Sequence, residues 1–214
     1  MSRPTVTVRG EGQAEGPPEL AAVSAVLHTA GRTAAEVTAN LADIVRAVDA
    51  ARPDLVYTAV RTEPLQVSPV FDRRSPMRVT GYRGRYATRH ELADFDRLDR
   101  VVVALTGLPG SEVTGPEWSL RAHSPLHRAA RLAAVEDALR RARDYATALR
   151  AGLGDLVELS EVDGGFGGSP RAYAMARGTE DPTFDFEPQP QTVSARVTAR
   201  FELRDQPEPG VSAR

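Results

Sequence analysis

The sequence predicts an α+β fold in which a mostly antiparallel sheet is packed by three helices, one of them long, at about residues 125–151. Several segments alternate apolar and polar residues as half-buried strands do, and three others carry one apolar stripe at helical spacing. Because strands outnumber helices, each stripe is expected to lie on a sheet face. We expect a single domain over residues 1–204 and a disordered tail over 205–214.

The first two strands are predicted near the amino terminus. Val6 and Val8 alternate with polar residues, as in a half-buried strand. The glycines of RGEGQAEG and the pair Pro17-Pro18 predict a turn or an irregular edge before a second strand around residues 20–28. We expect these two strands to pair as a hairpin.

The first helix begins at a capping box, in which Thr33 and Glu36 each satisfy a backbone N–H at the helix start. Its apolar stripe is Val37, Leu41, Ile44 and Val48. The helix is expected to end near Pro53. A third strand follows from about residue 55 into EPLQVSPVFD, where two prolines confine part of it to an edge or a bend.

The fourth strand, MRVTGYRGRYATRHEL at residues 77–92, combines aromatic and basic side chains. Alternation places Tyr82, Tyr86 and His90 on one face, and Arg83, Arg85 and Arg89 on the other. Rings that stack on bases and cations that attract phosphates would bind an anion or a single-stranded nucleic acid. The favoured interpretation is a sheet face whose tyrosines cover apolar surface and whose arginines pair with cross-strand neighbours. The candidate surface comprises Arg78, Tyr82, Arg83, Arg85, Tyr86 and Arg89.

Two further helices follow. Asp94 is predicted to cap the second, which ends at the sequence GLPG from Gly107. Its stripe is Phe95, Leu98, Val101, Val102 and Leu105. Trp118, Leu120 and Ala122 alternate with polar residues and His123, which predicts a fifth strand.

Ser124-Pro125 is an N-cap followed by a proline suited to the first helical position, and it opens the longest helix. The predicted stripe of this helix is Leu132, Val135, Leu139, Ala142, Ala146 and Leu149. Arg140 is placed to form ion pairs with Glu136 and Asp144 on the solvent side.

The carboxyl-terminal third contains two strands and a long connection. A sixth strand is predicted around residues 156–162, and a flexible Gly- and Pro-rich loop over 164–191. The last strand alternates most clearly: its inward residues are Val193, Ala195, Val197, Ala199, Phe201 and Leu203.

The motifs that carry chemistry are weak in this sequence. There is no cysteine, which excludes disulfides and thiolate metal sites, and no G-x-S-x-G motif. His123 and His127 have the spacing of two helical metal ligands, but Pro125 lies between them. GGFGGSP at 164–170 lacks the lysine of a P-loop and is better explained as a flexible connector. Asp181, Asp185 and Glu187 could bind a cation weakly, but acids are common in surface loops. We expect no enzymatic activity, no cofactor and no metal site.

The composition does not favour a polyanion partner. The formal net charge is −2, whereas dedicated nucleic-acid binders are usually basic. The amino terminus has no apolar run of the length of a signal peptide, and no later segment has the length of a membrane span. On this ground we expect a cytoplasmic protein.

Several segments resemble, in their order along the chain, the SIMPL-domain family, which includes the bacterial YggE-like proteins. The matching pieces are TVTVRGEGQAE at 5–15, TAAE at 33–36, SPVFD at 68–72, VTGYR at 79–83, the helix start at 94–98, AVEDALRRARDYATAL at 134–149 and TVSARVTARFEL at 192–203. The resemblance implies an antiparallel sheet backed by helices, and it implies no catalytic residue.

The resemblance also sets the functional expectation. Members of the family look like non-enzymatic proteins, mostly exported; some are linked to stress tolerance, some build ring-like or channel-like homo-oligomers, and an animal relative is a signalling adaptor. Typical bacterial relatives begin with an export signal, whereas this chain begins at its first strand. We therefore expect a cytoplasmic bacterial protein that acts by self-association, as a homo-oligomer, or by holding a protein partner.

Overall fold

The computed structural model describes residues 3–51, 57–162, 175–176 and 184–205. The strands are β1 Thr5–Gly16, β2 Leu20–Gly31, β3 Ala59–Thr62, β4 Gln66–Phe71, β5 Val79–Leu92, β6 Ser111–Ser119, β7 Ala151–Val162, β8 Met175–Ala176, β9 Phe184–Asp185 and β10 Gln191–Asp205. The helices are α1 Ala34–Ala51, α2 Leu98–Thr106 and α3 Pro125–Ala148, with a 3₁₀ turn at Phe95–Arg97 before α2. The α+β class, with three helices and one of them long, is confirmed.

The chain divides into two compact units. The first unit comprises residues 1–17, 122–168 and 190–214, and the second comprises 18–121 and 169–189. The first unit contains a three-stranded sheet in the order β1-β10-β7. The second contains a five-stranded sheet in the order β3-β5-β2-β6, with β4 also paired to β5. The strand pairs described in both sheets are antiparallel.

The predicted hairpin between the first two strands is wrong. β1 pairs with β10 from Thr5 to Gly16, and β2 pairs with β5 and β6. The glycines of β1 therefore belong to the strand and do not form a turn. Their function is to admit a helix: a Cβ added at Gly10 would lie 2.0 Å from the backbone oxygen of Ala134, and one at Gly12 would lie 2.2 Å from that of Ala130.

The close approach of α3 to β1 also changes which residues of α3 are buried. Its buried apolar positions are Ala130, Ala134, Ala138, Ala142 and Ala146. Only a small side chain fits where the helix backbone nearly touches the strand. The predicted stripe is therefore right at Ala142 and Ala146, and wrong at Leu132 and Leu149, which are exposed.

β10 is the central strand of the first sheet, as its regular alternation requires. Its inward side chains at 193, 195, 197, 199 and 201 are all buried, and Leu203 is partly buried. On its outer face, Arg200 pairs with Glu158 of β7 at 2.8 Å and Arg196 with Glu11 of β1 at 3.4 Å. The inward pattern predicted for this strand is confirmed.

In the second unit, α1 and α2 pack on the same face of the five-stranded sheet. Half of the predicted capping box of α1 forms: the Thr33 hydroxyl accepts the N–H of Glu36 at 3.2 Å. The Glu36 carboxylate accepts the N–H of the preceding residue, Arg32, at 2.8 Å. Val37, Leu41 and Val48 are fully buried, and Ile44 packs partly buried against them. The Asp94 carboxylate caps the 3₁₀ turn by accepting the N–H of Asp96.

Two strand predictions in this unit need correction. The predicted third strand is two short strands, β3 and β4, separated at Pro64. The predicted fifth strand lies too late: β6 ends at Ser119, so Leu120 and Ala122 lie outside it. The polar first half of β6, with Gly115-Pro116 inside it, conceals the strand pattern, and the pairing with β2 shifts register between Ala22 and Ser24.

Part of the predicted loop and tail lies outside the described residues, namely 164–174, 177–183 and 206–214. GGFGGSP and Asp181 fall there. Asp205, predicted as the first residue of the tail, is the last residue of β10. None of the helices in the described ranges combines the length and apolarity that crossing a bilayer requires.

Candidate interaction surfaces

The alternation predicted for β5 is confirmed, and it places the aromatic residues in the core. Tyr86 lies opposite Leu27 of β2, and His90 lies opposite Val23, on the face covered by the helices. Tyr86 and His90 are buried, and Tyr82 packs partly buried against the same core. These rings contribute to packing.

The arginines of β5 project from the opposite face and are partly neutralised. The Arg85 guanidinium donates to Glu63 Oε2, and that of Arg89 to Glu117 Oε2, each at 2.7 Å. Arg83 is exposed on the same face, and Arg78 precedes the strand. The structure thus separates the six predicted residues onto two faces and a loop. Nucleic-acid or anion binding through them stays a prediction.

His123 and His127 lie in the first unit, before α3 and in its first turn. They line a surface pocket of about 570 Å³ together with Arg128 and Arg131. The N-cap is as predicted, because the Ser124 hydroxyl accepts the N–H of Leu126 at 3.4 Å. Within the described ranges, no three histidine or acidic side chains are grouped as metal ligands.

Four of the exposed large apolar side chains of the first unit lie on β7. Leu156, Val157, Leu159 and Val162 are each about half exposed. β7 pairs with β10 on one side, and among the described strands it has no partner on the other. We call this second side the open edge of β7. Sequence reasoning predicted the strand, but it gave no sign that the strand lies at an edge.

At the other edge of the same sheet, a side chain occupies one backbone N–H of β1. Asp137 of α3 is buried, and its Oδ2 accepts the backbone N–H of Glu11 in β1 at 3.1 Å. Arg140 and Arg141 pair with the same carboxylate, Arg141 at 2.8 Å. The ion pairs predicted for Arg140 with Glu136 and Asp144 are therefore wrong, because its guanidinium pairs with Asp137.

The edges of the second sheet carry the features that discourage strand addition. β3 has four residues, and β4 contains Pro69. At the opposite edge, β6 contains Pro116, which has no N–H to donate. Short strands and prolines protect sheet edges from pairing with other chains. β7, with 12 residues and no proline, has neither form of protection.

Most of the chain matches the model of a known protein family. A family model described as SIMPL, a protein of unknown function (DUF541), matches residues 6–201. The chain belongs to the SIMPL family. The match runs from β1 to Phe201 of β10, so the SIMPL region includes segments of both units. A search of curated proteins finds no match to this SIMPL chain.

Asp137 makes the stability of the SIMPL chain depend on pH. Its pKa lies below the ordinary value of 3.8, first because the carboxylate accepts the Glu11 N–H, and also because Arg141 and Arg140 lie beside it; burial opposes this shift. A depressed carboxyl pKa stabilises the fold above the unfolded-state pKa, and this contribution is lost as the pH falls through the folded-state pKa.

Replacing Asp137 with Asn is expected to lower the free energy of unfolding by about 1–2 kcal/mol near pH 7, with the difference shrinking below about pH 4. Urea unfolding at several pH values measures both quantities. Asp144→Asn, on the exposed side of α3, is the matched control. If the loss in the free energy of unfolding of Asp137→Asn were as large in acid as at pH 7, the charge of the carboxylate would not contribute to stability.

Proposed function

We propose that this SIMPL chain acts through its surfaces, by associating with a second copy along the open edge of β7. The observation that carries the proposal is a long edge strand without proline whose apolar side chains remain half exposed. Unpaired backbone N–H and C=O groups at such an edge form hydrogen bonds with an added strand. The family resemblance supports the same proposal, because some members of the family look like homo-oligomers.

The geometry of β7 suits strand addition over a defined stretch. Its register with β10 shifts near residue 157 and is regular from Glu158 to Val162. Antiparallel pairing of this stretch with its copy would join two three-stranded sheets into one of six strands. Such a contact is isologous, since the same surface is used by both copies, and it closes at a dimer.

The charges of β7 are compatible with a second copy. Two of its three acids are neutralised within the chain: Glu158 pairs with Arg200 at 2.8 Å, and Asp155 with Arg204 at 2.6 Å. Two identical strands can therefore approach without the full repulsion of their carboxylates. A basic partner would have to compete with these arginines.

A role without catalysis belongs to the same proposal. It is supported by the lack of cysteine and of a G-x-S-x-G motif, and by the burial of Tyr86 and His90 in the core. A cytoplasmic location and a connection to stress stay predictions from the sequence.

Replacing Leu159 with Arg is expected to abolish the association, because it places a charge in the apolar part of the new contact. Leu132→Arg is the matched control: Leu132 lies on α3 of the same unit and is 49% exposed, against 48% for Leu159. Sedimentation velocity from about 1 μM to about 1 mM covers the range of weak and moderate dimers. We expect a dimer for the wild type and for Leu132→Arg, and a monomer for Leu159→Arg.

Two results would contradict the proposal. A wild-type chain that remains monomeric over the whole range would remove self-association and leave a different protein as the partner. Equal weakening by both substitutions would show that copies associate, but through a contact not centred on β7.

A further inference from the structure

The connection between β4 and β5 is a fixed turn. We call residues 71–79 the hairpin tip. The Asp72 carboxylate accepts the N–H groups of Arg74 at 2.7 Å and Ser75 at 3.3 Å. The Asp72 N–H donates to the Arg78 oxygen at 2.9 Å, and the Arg78 N–H donates to the Ser75 oxygen at 2.8 Å. These bonds hold the backbone of the tip in one conformation.

The tip presents apolar side chains to solvent. Met77 is 95% exposed, the highest value among the exposed large apolar residues of the described chain, and Phe71 and Val79 beside it are also exposed. An isolated exposed apolar residue needs no explanation, but here three lie within nine residues at one end of a hairpin, and Phe71 is the cross-strand partner of Val79.

The same tip is cationic. Arg73, Arg74 and Arg78 are exposed, and none of them forms an ion pair with a residue in the described ranges. The one acid of the tip, Asp72, is engaged with backbone N–H groups. The chain as a whole carries a net charge of −2, so this positive charge is local.

We propose that the hairpin tip binds the surface of an anionic lipid bilayer. The side chains of Phe71 and Met77 enter the boundary between headgroups and acyl chains, while the three arginines contact lipid phosphates. A nucleic acid would satisfy the arginines but would leave Met77 in water. A bilayer surface accommodates both kinds of side chain at once, which is why the combination favours lipid.

The size of the expected effect follows from the composition of the tip. An arginine near an anionic surface contributes about fivefold to affinity, so losing two should weaken binding roughly 25-fold. Removing the apolar part of Met77 should weaken it about tenfold. The binding is therefore reversible and falls with increasing salt. Lipid binding by the tip does not depend on the proposed association through β7, since β7 lies in the first unit and the tip in the second.

Co-sedimentation with vesicles tests the proposal. The full chain is mixed with vesicles of phosphatidylcholine containing a minority of phosphatidylglycerol, and with vesicles of phosphatidylcholine alone. We expect binding to the anionic vesicles only, with the losses above for Arg73→Ser/Arg74→Ser and for Met77→Ser. The matched control is Arg100→Ser/Val103→Ser on α2, which removes an exposed arginine and an exposed apolar side chain from the same unit.

A spectroscopic variant reports insertion directly. The chain has one tryptophan, Trp118, which is buried in the core. Met77→Trp should therefore add an emission that shifts to the blue with anionic vesicles and is unchanged with neutral ones.

Any of three results would overturn the proposal. The first is equal binding to both kinds of vesicle, or to neither, at low salt. The second is an equal loss in the α2 control. The third is salt-sensitive binding of a single-stranded oligonucleotide, unaffected by Met77→Ser, without vesicle binding, which would assign the arginines to a nucleic acid.

Discussion

Gly10→Ala is expected to destabilise the first unit by about 3 kcal/mol or more, because the added Cβ cannot be accommodated by a side-chain movement. It would lie 2.0 Å from the Ala134 oxygen and 2.6 Å from the Ala138 nitrogen, both of which are backbone atoms of α3. The whole helix must move away from β1, which also separates the alanines that it buries. Thermal unfolding followed by circular dichroism should show a fall of roughly 6–12 °C.

Gly152→Ala provides the comparison for this substitution. Gly152 lies at the start of β7, and a Cβ there would be 3.7 Å from its nearest neighbour, which is ordinary contact. Its effect is expected to remain within about 0.5 kcal/mol. If the two variants have the same unfolding temperature, the backbone of α3 does not approach β1 so closely that a Cβ is excluded at Gly10.

Trp118→Ala is expected to cost about 3–5 kcal/mol in the second unit, as for other large aromatic side chains removed from a core. Trp118 is buried on β6, and its ring meets that of Phe95 edge to face, with centroids 4.9 Å apart. Phe95 begins the 3₁₀ turn before α2, so the contact connects the sheet to that helix. Urea unfolding followed by far-UV circular dichroism measures the loss without relying on tryptophan emission.

Val103→Ala on α2 is the control for Trp118→Ala. Val103 is on the exposed side of α2, and its truncation should change the free energy of unfolding only slightly. A small effect of Trp118→Ala, comparable to that of Val103→Ala, would mean that β6 and α2 do not share a core.

Elements with a single apolar face were predicted well from the sequence. The stripe from Val37 to Val48, the stripe of α2 and the alternation of β10 each match the buried residues. In these elements one face packs against ordinary side chains, so hydrophobicity and burial coincide. The starts of α1 and α3 were also predictable, because Thr33 and Ser124 provide side-chain caps. Asp94 caps the 3₁₀ turn, whereas α2 itself begins after Arg97 without a side-chain cap.

The contact between β1 and α3 could not be predicted in the same way. Glycines usually indicate a turn, and leucines usually indicate the buried side of a helix. Here Gly10 and Gly12 are strand residues, and the helix buries alanines while Leu132 and Leu149 face solvent. The glycines of β1 predict this contact only when they are considered together with the alanines of α3. The two sets are separated by more than a hundred residues, so neither segment alone indicates it.

The open edge of β7 could not be predicted from the sequence, for a different reason. Alternation shows that a segment is a strand, but it does not show which strands are neighbours. The order β1-β10-β7 joins the two ends of the chain and leaves β7 at an edge, and only that order identifies the open edge. The faces of β5 were predictable: Tyr82, Tyr86 and His90 lie on one side and the arginines at 83, 85 and 89 on the other. Burial was not, because Tyr86 and His90 proved to be core.

Hydrogen exchange at increasing protein concentration tests the association of β7 most directly. We expect the backbone amides of residues 158–162 to become more protected as the concentration rises, while the Glu11 amide, already bonded to Asp137, is unchanged. Exchange of Glu158–Val162 that is the same at every concentration would contradict it.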